Sequence, residues 1–112
     1  MSRDIAAEIQ ETISNNPIVL FMKGTPNFPQ CGFSAQTTAI LSHVGAEFVG
    51  VNVLDDPEVR QGIKTFSSWP TIPQLYIQGE FIGGCDITVE LFESGALKEK
   101  LEGAGLLEAP SE

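Results

Sequence analysis

Apolar residues recur along the chain at spacings that predict helices alternating with strands. Ile5, Ile9 and Ile13 recur every four residues, which predicts an amphipathic first helix with Ser2 as its N-terminal cap. The run from Ile18 to Met22 is apolar at every position, which is typical of a central strand buried on both faces. The first part of the chain is therefore predicted to be a helix followed by a central strand.

A second helix is predicted from about residue 31 to residue 44. Its inward residues are predicted to be Ala35, Ala39 or Ile40, and Val44. This helix follows a loop at residues 23–30 that contains glycine and two prolines. The loop and the start of the second helix are therefore expected at the end of the central strand.

Three further helices and three strands are predicted in the rest of the chain. A strand is expected at residues 47–53, and Asp56 followed by proline and glutamate begins a helix. The segments 74–77 and 80–82 read as a hairpin around Gln78-Gly79. Asp86 is expected to cap the next helix, and a short final helix follows around residues 97–101.

The order of these elements is helix, strand, helix, strand, helix, strand, strand, helix. The first strand–helix–strand unit should be parallel with a right-handed crossover, and the hairpin then makes the sheet mixed. This order predicts the α/β thioredoxin fold, with a four-stranded mixed sheet flanked by helices. Residues 5–107 are expected to form one such domain, followed by a short polar tail at 108–112.

Composition and charge narrow the class of protein further. The 112 residues are 42% hydrophobic and 19% charged, as in ordinary globular proteins. The formal net charge of −9 argues against nucleic acid or an anionic membrane as a partner. The longest apolar run is far too short to span a bilayer, and the first ten residues resemble neither a secretory signal nor a transit peptide. A cytoplasmic location is therefore expected.

The segment Cys31-Gly32-Phe33-Ser34 carries the most informative chemistry. A dithiol redox motif needs a second cysteine three residues after the first, but Ser34 occupies that position and cannot form a disulfide. The helix N-terminus and nearby Lys23 both favour the thiolate form of Cys31. Either an external thiol completes the redox chemistry of Cys31, or its thiolate serves as a metal ligand.

Four motifs in the same order closely resemble the CGFS-type monothiol glutaredoxins of bacterial, single-domain form. They are Lys-Gly-Thr-Pro at 23–26, Cys-Gly-Phe-Ser at 31–34, Trp-Pro-Thr-Ile-Pro-Gln at 69–74 and Gly-Gly-Cys-Asp at 83–86. The segment 55–60 fits the same pattern, and the resemblance covers nearly the whole chain. It implies a glutathione site and chemistry centred on Cys31.

The resemblance places cations at one end of glutathione, which carries two carboxylates and one ammonium. Lys23 and Arg60 would pair with the glycine carboxylate through charge-assisted hydrogen bonds. Lys64 is an additional candidate, although a solvated surface charge is the simpler interpretation of that residue alone. The backbone of Ile72, before an expected cis Pro73, would bind the cysteinyl unit in the manner of a neighbouring strand.

The other end of glutathione is expected at Cys85 and Asp86. Their backbone N–H groups, at a helix start, would bind the γ-glutamyl carboxylate, and the Asp86 side chain would bind the ammonium. A plain helix cap is the simpler interpretation of Asp86 alone, and the residue can hold both roles at once. The Cys85 side chain is more readily interpreted as a small buried residue than as a ligand, while Trp69 is either a wall of the site or part of the core.

Ligand counting connects these residues to an iron–sulfur cluster. A [2Fe–2S] cluster needs four terminal ligands, but one chain offers only Cys31 and, doubtfully, Cys85. The resemblance implies a homodimer bridged by the cluster, with one Cys31 from each chain and two glutathione thiols. It also implies a BolA-family partner and apo iron–sulfur client proteins, to which the cluster would be transferred.

A second function remains open at this point. The chain could be a glutathione-dependent oxidoreductase that reduces mixed disulfides between proteins and glutathione. Cys31 would attack such a disulfide, and a second glutathione would resolve the adduct, so that one thiol suffices. The sequence favours the cluster carrier over this enzyme without excluding the enzyme.

Overall fold

The computed structural model describes residues 3–107, and its elements follow the predicted order with one short hairpin added before the second helix. The helices and strands are α1 (Ile5–Asn15), β1 (Ile18–Met22), β2 (Gly24–Thr25), β3 (Phe28–Pro29), α2 (Gly32–His43), β4 (Val49–Asn52), a 3-10 turn (Val53–Asp55), α3 (Pro57–Ser67), β5 (Gln74–Ile77), β6 (Glu80–Gly83), α4 (Cys85–Ser94) and α5 (Ala96–Gly103).

The main sheet has four strands in the order β4-β1-β5-β6. β1 pairs with β4 in parallel and with β5 antiparallel, and β5 pairs with β6 antiparallel. The predicted parallel unit, hairpin and mixed four-stranded sheet are therefore confirmed. Helices pack on both faces of this sheet, as the predicted thioredoxin fold requires.

Alternate residues of β1 point into two separate hydrophobic cores, which explains why every position of the strand is apolar. Leu20 and its neighbours on one face pack with residues of α2 and α5, such as Leu41 and Leu97. Phe21 on the opposite face packs with residues of α1 and α3, such as Ile9 and Ile63. All five β1 residues are buried, as the sequence predicted.

Some local expectations were wrong at the ends of elements. The cap of α1 is Asp4, whose carboxylate accepts a hydrogen bond from Ala7 N–H, while Ser2 lies outside the described residues. The strand predicted at 47–53 is shorter, because Asn52 accepts a hydrogen bond from Leu54 N–H and turns the chain into the 3-10 segment. The polar tail predicted at 108–112 also lies outside the described residues.

The inward face of α2 is more polar than predicted. Ile40 is buried, but Ala39 is exposed, and the buried positions include Ser34, Thr37 and Thr38. The two threonine hydroxyls donate to carbonyl oxygens one turn earlier in the same helix, so their burial leaves no hydroxyl hydrogen unpaired. Periodicity of apolar residues alone could not identify this face.

Between residues 3 and 107, no helix is both long enough and apolar enough to cross a membrane. The longest helix in this part of the chain, α2, has 12 residues, whereas a spanning helix needs about 20.

Candidate functional site

A cavity of about 400 Å³ lies where the end of β1, the loop before β5 and the start of α4 meet. Cys31 is not itself a lining residue, but Lys23 and Phe33 on either side of it are. The full lining consists of Lys23, Phe33, Lys64, Trp69, Pro70, Thr71, Ile72, Pro73, Gly84, Cys85, Asp86 and Ile87. The folded chain thus brings together residues from all four motifs of the sequence.

Cys31 is the N-terminal cap of α2 and is partly exposed. Its Sγ accepts a hydrogen bond from Ser34 N–H at 3.3 Å, as the oxygen of a capping side chain would. Partial burial raises the pKa of the thiol. Hydrogen bonds from Ser34 and from the Phe33 backbone, together with the Lys23 charge, lower the pKa by more than burial raises it. The pKa of Cys31 is therefore below its ordinary value, which favours the thiolate.

Ser34 is fully buried and its hydroxyl links Cys31 to the end of β1. Lys23 N–H donates to Ser34 Oγ at 3.1 Å, and the same Oγ lies 3.3 Å from Cys31 Sγ. Because the oxygen already accepts a hydrogen bond from Lys23, its own hydrogen is available for the sulfur. Ser34 therefore supplies two donors to the thiolate, the hydroxyl and the backbone N–H.

We expect Ser34→Ala to raise the pKa of Cys31, because the thiolate loses its hydroxyl donor while the protonated thiol loses little. Alkylation by iodoacetamide, which requires the thiolate, should then reach half of its maximal rate at a higher pH than in the unmodified chain. Thr37→Ala is the matched control, since that buried hydroxyl lies in the same helix and bonds only to Phe33 O. Equal alkylation profiles for the two variants would contradict the role assigned to Ser34.

The loop between β1 and α2 is held in one conformation by its own backbone and by β4. The small β2–β3 hairpin is closed by a hydrogen bond from Gln30 N–H to Lys23 O at 2.8 Å. Gly24 has a φ of +93° and donates its N–H to Asn52 Oδ1 at 2.9 Å. Support of this loop by Asn52 could not be predicted from the sequence, because only folding brings residue 52 close to residue 24.

The structure places the predicted cations differently from the sequence expectation. Lys23 and Lys64 both line the cavity, whereas Arg60 is not among the lining residues. Lys64 lies four positions after Arg60 on α3, so it lies one turn further along a similar face of the helix. Lys64, which the sequence analysis expected only as an additional cation, therefore lines the cavity, whereas Arg60 does not.

The start of α4 offers free backbone donors to the cavity. Its cap is Gly84, which makes no side-chain capping bond, and the first backbone bond of this turn runs from Thr88 N–H to Gly84 O at 3.0 Å. The prediction that Asp86 caps the helix is wrong, because α4 begins at Cys85. Asp86 is instead an exposed residue in the first turn and lines the cavity.

The loop before β5 contains a cis peptide bond between Ile72 and Pro73, as the sequence predicted. Ile72 is buried and lines the cavity, and its backbone N–H and C=O make no hydrogen bond with any residue between 3 and 107. Both groups therefore remain available to a ligand that binds like a strand.

Cys85 and Trp69 each combine a packing role with a position at the cavity. Cys85 is a free, buried thiol whose Sγ lies 3.4 Å from Gln36 Oε1. Trp69 lines the cavity and also packs on Phe81, with ring centroids 5.7 Å apart. Its indole N–H is buried and has no partner within the described part of the chain. Trp69 therefore lines the cavity and contacts Phe81, but it is a member of neither hydrophobic core.

Comparisons with known proteins agree with this fold and motif set. Residues 18–82 match the family model described as Glutaredoxin. The chain is 53% identical over 110 residues to "Monothiol glutaredoxin-5, mitochondrial" of Saccharomyces cerevisiae, an alignment that covers 96% of this chain and 73% of the relative.

Solved structures of glutaredoxins are also similar to this chain. Reduced apo GrxS14 of poplar superposes with a TM-score of 0.77 at 53% identity, covering 88% of this chain and 90% of that one. A buckwheat glutaredoxin–glutathione complex shares the fold, with a TM-score of 0.82 at 22% identity and 93% coverage of each chain. A thioredoxin-fold domain with one active thiol at a helix start is the class that the fold and site define. The chain belongs to the glutaredoxin family, among its monothiol members.

Proposed function

We propose that this protein binds glutathione in the cavity and carries a [2Fe–2S] cluster between two subunits for transfer to apo-proteins. The observation that carries this proposal is the single activated thiolate, Cys31, beside a cavity lined by Lys23, by Lys64 and by the free backbone N–H groups at the start of α4. A site of that design suits a ligand that brings its own thiol and carries charges at both ends.

Each end of glutathione has a suitable partner in the cavity. Lys23 and Lys64 would bind the glycine carboxylate, with Arg60 outside the lining. The free N–H groups of Cys85 and Asp86 would bind the γ-glutamyl carboxylate, and the Asp86 carboxylate would bind the ammonium.

The middle of glutathione would lie along the loop before β5. The free backbone groups of Ile72 suit the cysteinyl unit, whose thiol would then lie near Cys31. The binding of glutathione by the buckwheat glutaredoxin, which has the same fold, supports this assignment.

The cluster would be a cargo of the protein, and the number of available ligands supports its being shared between two chains. Among residues 3–107, no three His, Cys, Asp or Glu side chains come together as a metal site. Cys85 is buried against Gln36, which leaves Cys31 as the accessible thiolate of the described chain. Four ligands are then reached by two chains and two glutathione thiols.

The remaining features of the proposal rest on the sequence and on its resemblance to monothiol glutaredoxins. A BolA-family protein would replace one subunit, apo iron–sulfur proteins would receive the cluster, and the setting would be the cytoplasm. Because two of the four ligands are dissociable glutathione molecules, the assembly suits transfer better than permanent retention.

A second function, glutathione-dependent disulfide reduction, is favoured by the lowered pKa and partial exposure of Cys31. The Cys31 thiolate would attack the glutathione sulfur of a mixed disulfide, releasing the protein thiolate and leaving glutathione on Cys31. A second glutathione thiolate would attack that adduct, forming glutathione disulfide and regenerating the Cys31 thiolate. This chemistry uses the same cavity as cluster binding. Because the geometry of the cavity suits both functions, an experiment is needed to distinguish them.

Anaerobic reconstitution with iron, sulfide and glutathione tests the proposal. We expect a coloured dimer, measured by its visible spectrum and by native mass, and no colour when glutathione is omitted. Cluster transfer to an apo-ferredoxin, followed by circular dichroism, tests the carrier role. A colourless monomer that reduces glutathione mixed disulfides rapidly would contradict the carrier and support the enzyme.

We expect Lys64→Gln to weaken glutathione binding by about five- to tenfold, because it removes a charge-assisted contact from a partly exposed site. Isothermal titration measures the dissociation constant directly. Lys98→Gln, at an exposed position of α5 that does not line the cavity, is the charge-matched control and should bind as the unmodified chain does. A larger effect from Arg60→Gln than from Lys64→Gln would reverse the assignment drawn from the cavity lining.

A further inference from the structure

The main sheet has an open edge at β4, next to the loop that leads to Cys31. Within the described chain β4 pairs only with β1, so one side of its backbone has no strand partner. We propose that this edge binds an extended, basic segment of a partner protein, which adds to the sheet as a further strand. The proposal concerns a surface outside the glutathione cavity and does not depend on the cluster.

The two edges of the sheet differ in how they are protected against such pairing. Sheet edges are commonly blunted by charged side chains, prolines or bulges. β6, at the opposite edge, carries Glu80, which is paired with Lys100 at 2.9 Å, and its register with β5 is irregular. β4 has the sequence Val-Gly-Val-Asn and carries neither charge nor proline, and its register with β1 is regular.

Two large apolar side chains are exposed at this edge. Val49, the first residue of β4, is 40% exposed, and Leu54, in the turn after β4, is 43% exposed. The two other large apolar side chains that are exposed between residues 3 and 107, Phe28 and Phe33, lie in β3 and α2 on either side of Cys31. An added strand would contact Val49 as a cross-strand neighbour, and a segment that continues past the end of β4 would cover Leu54.

The charges around β4 favour a basic partner. Glu47 precedes the strand and Asp55 follows it, both are exposed, and neither forms an ion pair with a described residue. Asp56, by contrast, is already paired with Arg3 at 2.9 Å. An extended segment with lysine or arginine alternating with apolar residues would therefore meet unpaired carboxylates at both ends of the strand.

The β4 edge is connected to the loop that leads to Cys31, so a partner bound there would be held near the thiolate. Asn52, the last residue of β4, accepts hydrogen bonds from both Gly24 N–H and Leu54 N–H, at 2.9 and 3.0 Å. The edge is thus joined directly to the hairpin that precedes Cys31. A client held on β4 would remain beside the reactive thiolate while cargo or disulfide exchange takes place.

An isotope-labelled sample of the full chain, titrated with a synthetic Lys-Val-Lys-Val-Lys-Val peptide and followed by amide NMR shifts, tests the proposal. We expect the shifts to concentrate at residues 47–55 and the affinity to fall several-fold between about 20 and about 200 mM salt. The peptide with Glu in place of Lys should not bind, nor should the peptide with proline in place of the central Val. Shifts confined to the cavity residues, or equal binding of all three peptides, would overturn the proposal.

Matched variants add a second test. Val49→Lys places a like charge on the edge and should weaken binding of the lysine peptide by roughly fivefold or more. Ala39→Lys makes the same change of charge on an exposed position of α2 and should leave binding unchanged. Equal affinity of the two variants would overturn the proposal. Because glutathione binding can be measured on the same samples, failure of this surface is distinguishable from failure of the proposed function.

Discussion

Replacing Cys31 by serine is expected to abolish both cluster assembly and disulfide reduction. A serine hydroxyl is not ionised near neutral pH and is a poor ligand for iron, so the reconstituted variant should stay colourless and monomeric. Reduction of a glutathione mixed disulfide should fall by roughly a thousandfold or more, because the nucleophile is lost. Visible absorbance, native mass and a coupled glutathione reductase assay measure these three effects.

Cys85→Ser is the matched control for this experiment. Its thiol is buried and lies against Gln36, so it should contribute neither a ligand nor a nucleophile. We expect the variant to assemble a cluster and to dimerise, with at most a small loss of stability from placing a hydroxyl in a buried site. A variant that remains colourless would show that Cys85 takes part in cluster assembly, contrary to the ligand count proposed above.

Replacing Gly24 by alanine is expected to destabilise the protein by about 2–4 kcal/mol. The φ of +93° disfavours any residue with a side chain, and an added Cβ would clash with Phe28 O and lie 2.7 Å from Gln30 N. Both neighbours are backbone atoms of the hairpin, so the hairpin itself would have to move. Chemical denaturation gives the free energy of unfolding, and the rate of Cys31 alkylation reports on the displaced loop.

Gly32→Ala provides the comparison on the other side of Cys31. An added Cβ there meets no atom within 4 Å, and Gly32 is the first residue of α2, where alanine is a better helix former than glycine. We expect its free energy of unfolding to be unchanged or raised by up to about 1 kcal/mol. Similar losses of stability in both variants would contradict the proposal that the positive φ and close backbone contacts of Gly24 require a glycine there.

Features that depend on neighbouring residues were predicted well from the sequence. The uninterrupted apolar run of β1 indicated burial on both faces, and Asp56 before a proline indicated the start of α3. The turn at residues 78–79 indicated the hairpin of β5 and β6. In each case the signal lies within a few residues of the structure that it specifies, because capping, turn formation and periodicity are local effects.

The residues around the thiol were only partly predictable. The sequence identified Cys31 as a single thiol at a helix start, and the resemblance of its motifs indicated the glutathione site. The sequence did not show that Ser34 is buried between Lys23 N–H and Cys31 Sγ. The resemblance named Arg60 with Lys23 for the glycine carboxylate and Lys64 only as an additional candidate, whereas the structure places Lys64 in the cavity lining. These features depend on how α2 and α3 are placed against the sheet.

The sequence by itself determined the order of the elements, the absence of a second thiol at Ser34 and the family to which the motifs belong. Only the tertiary structure decided which residues surround that thiolate, which backbone groups remain free at the start of α4 and which edge of the sheet stays open. The physical reason is that these are contacts between segments far apart in sequence. Their distances follow from the packing of both hydrophobic cores on β1, which no local pattern encodes.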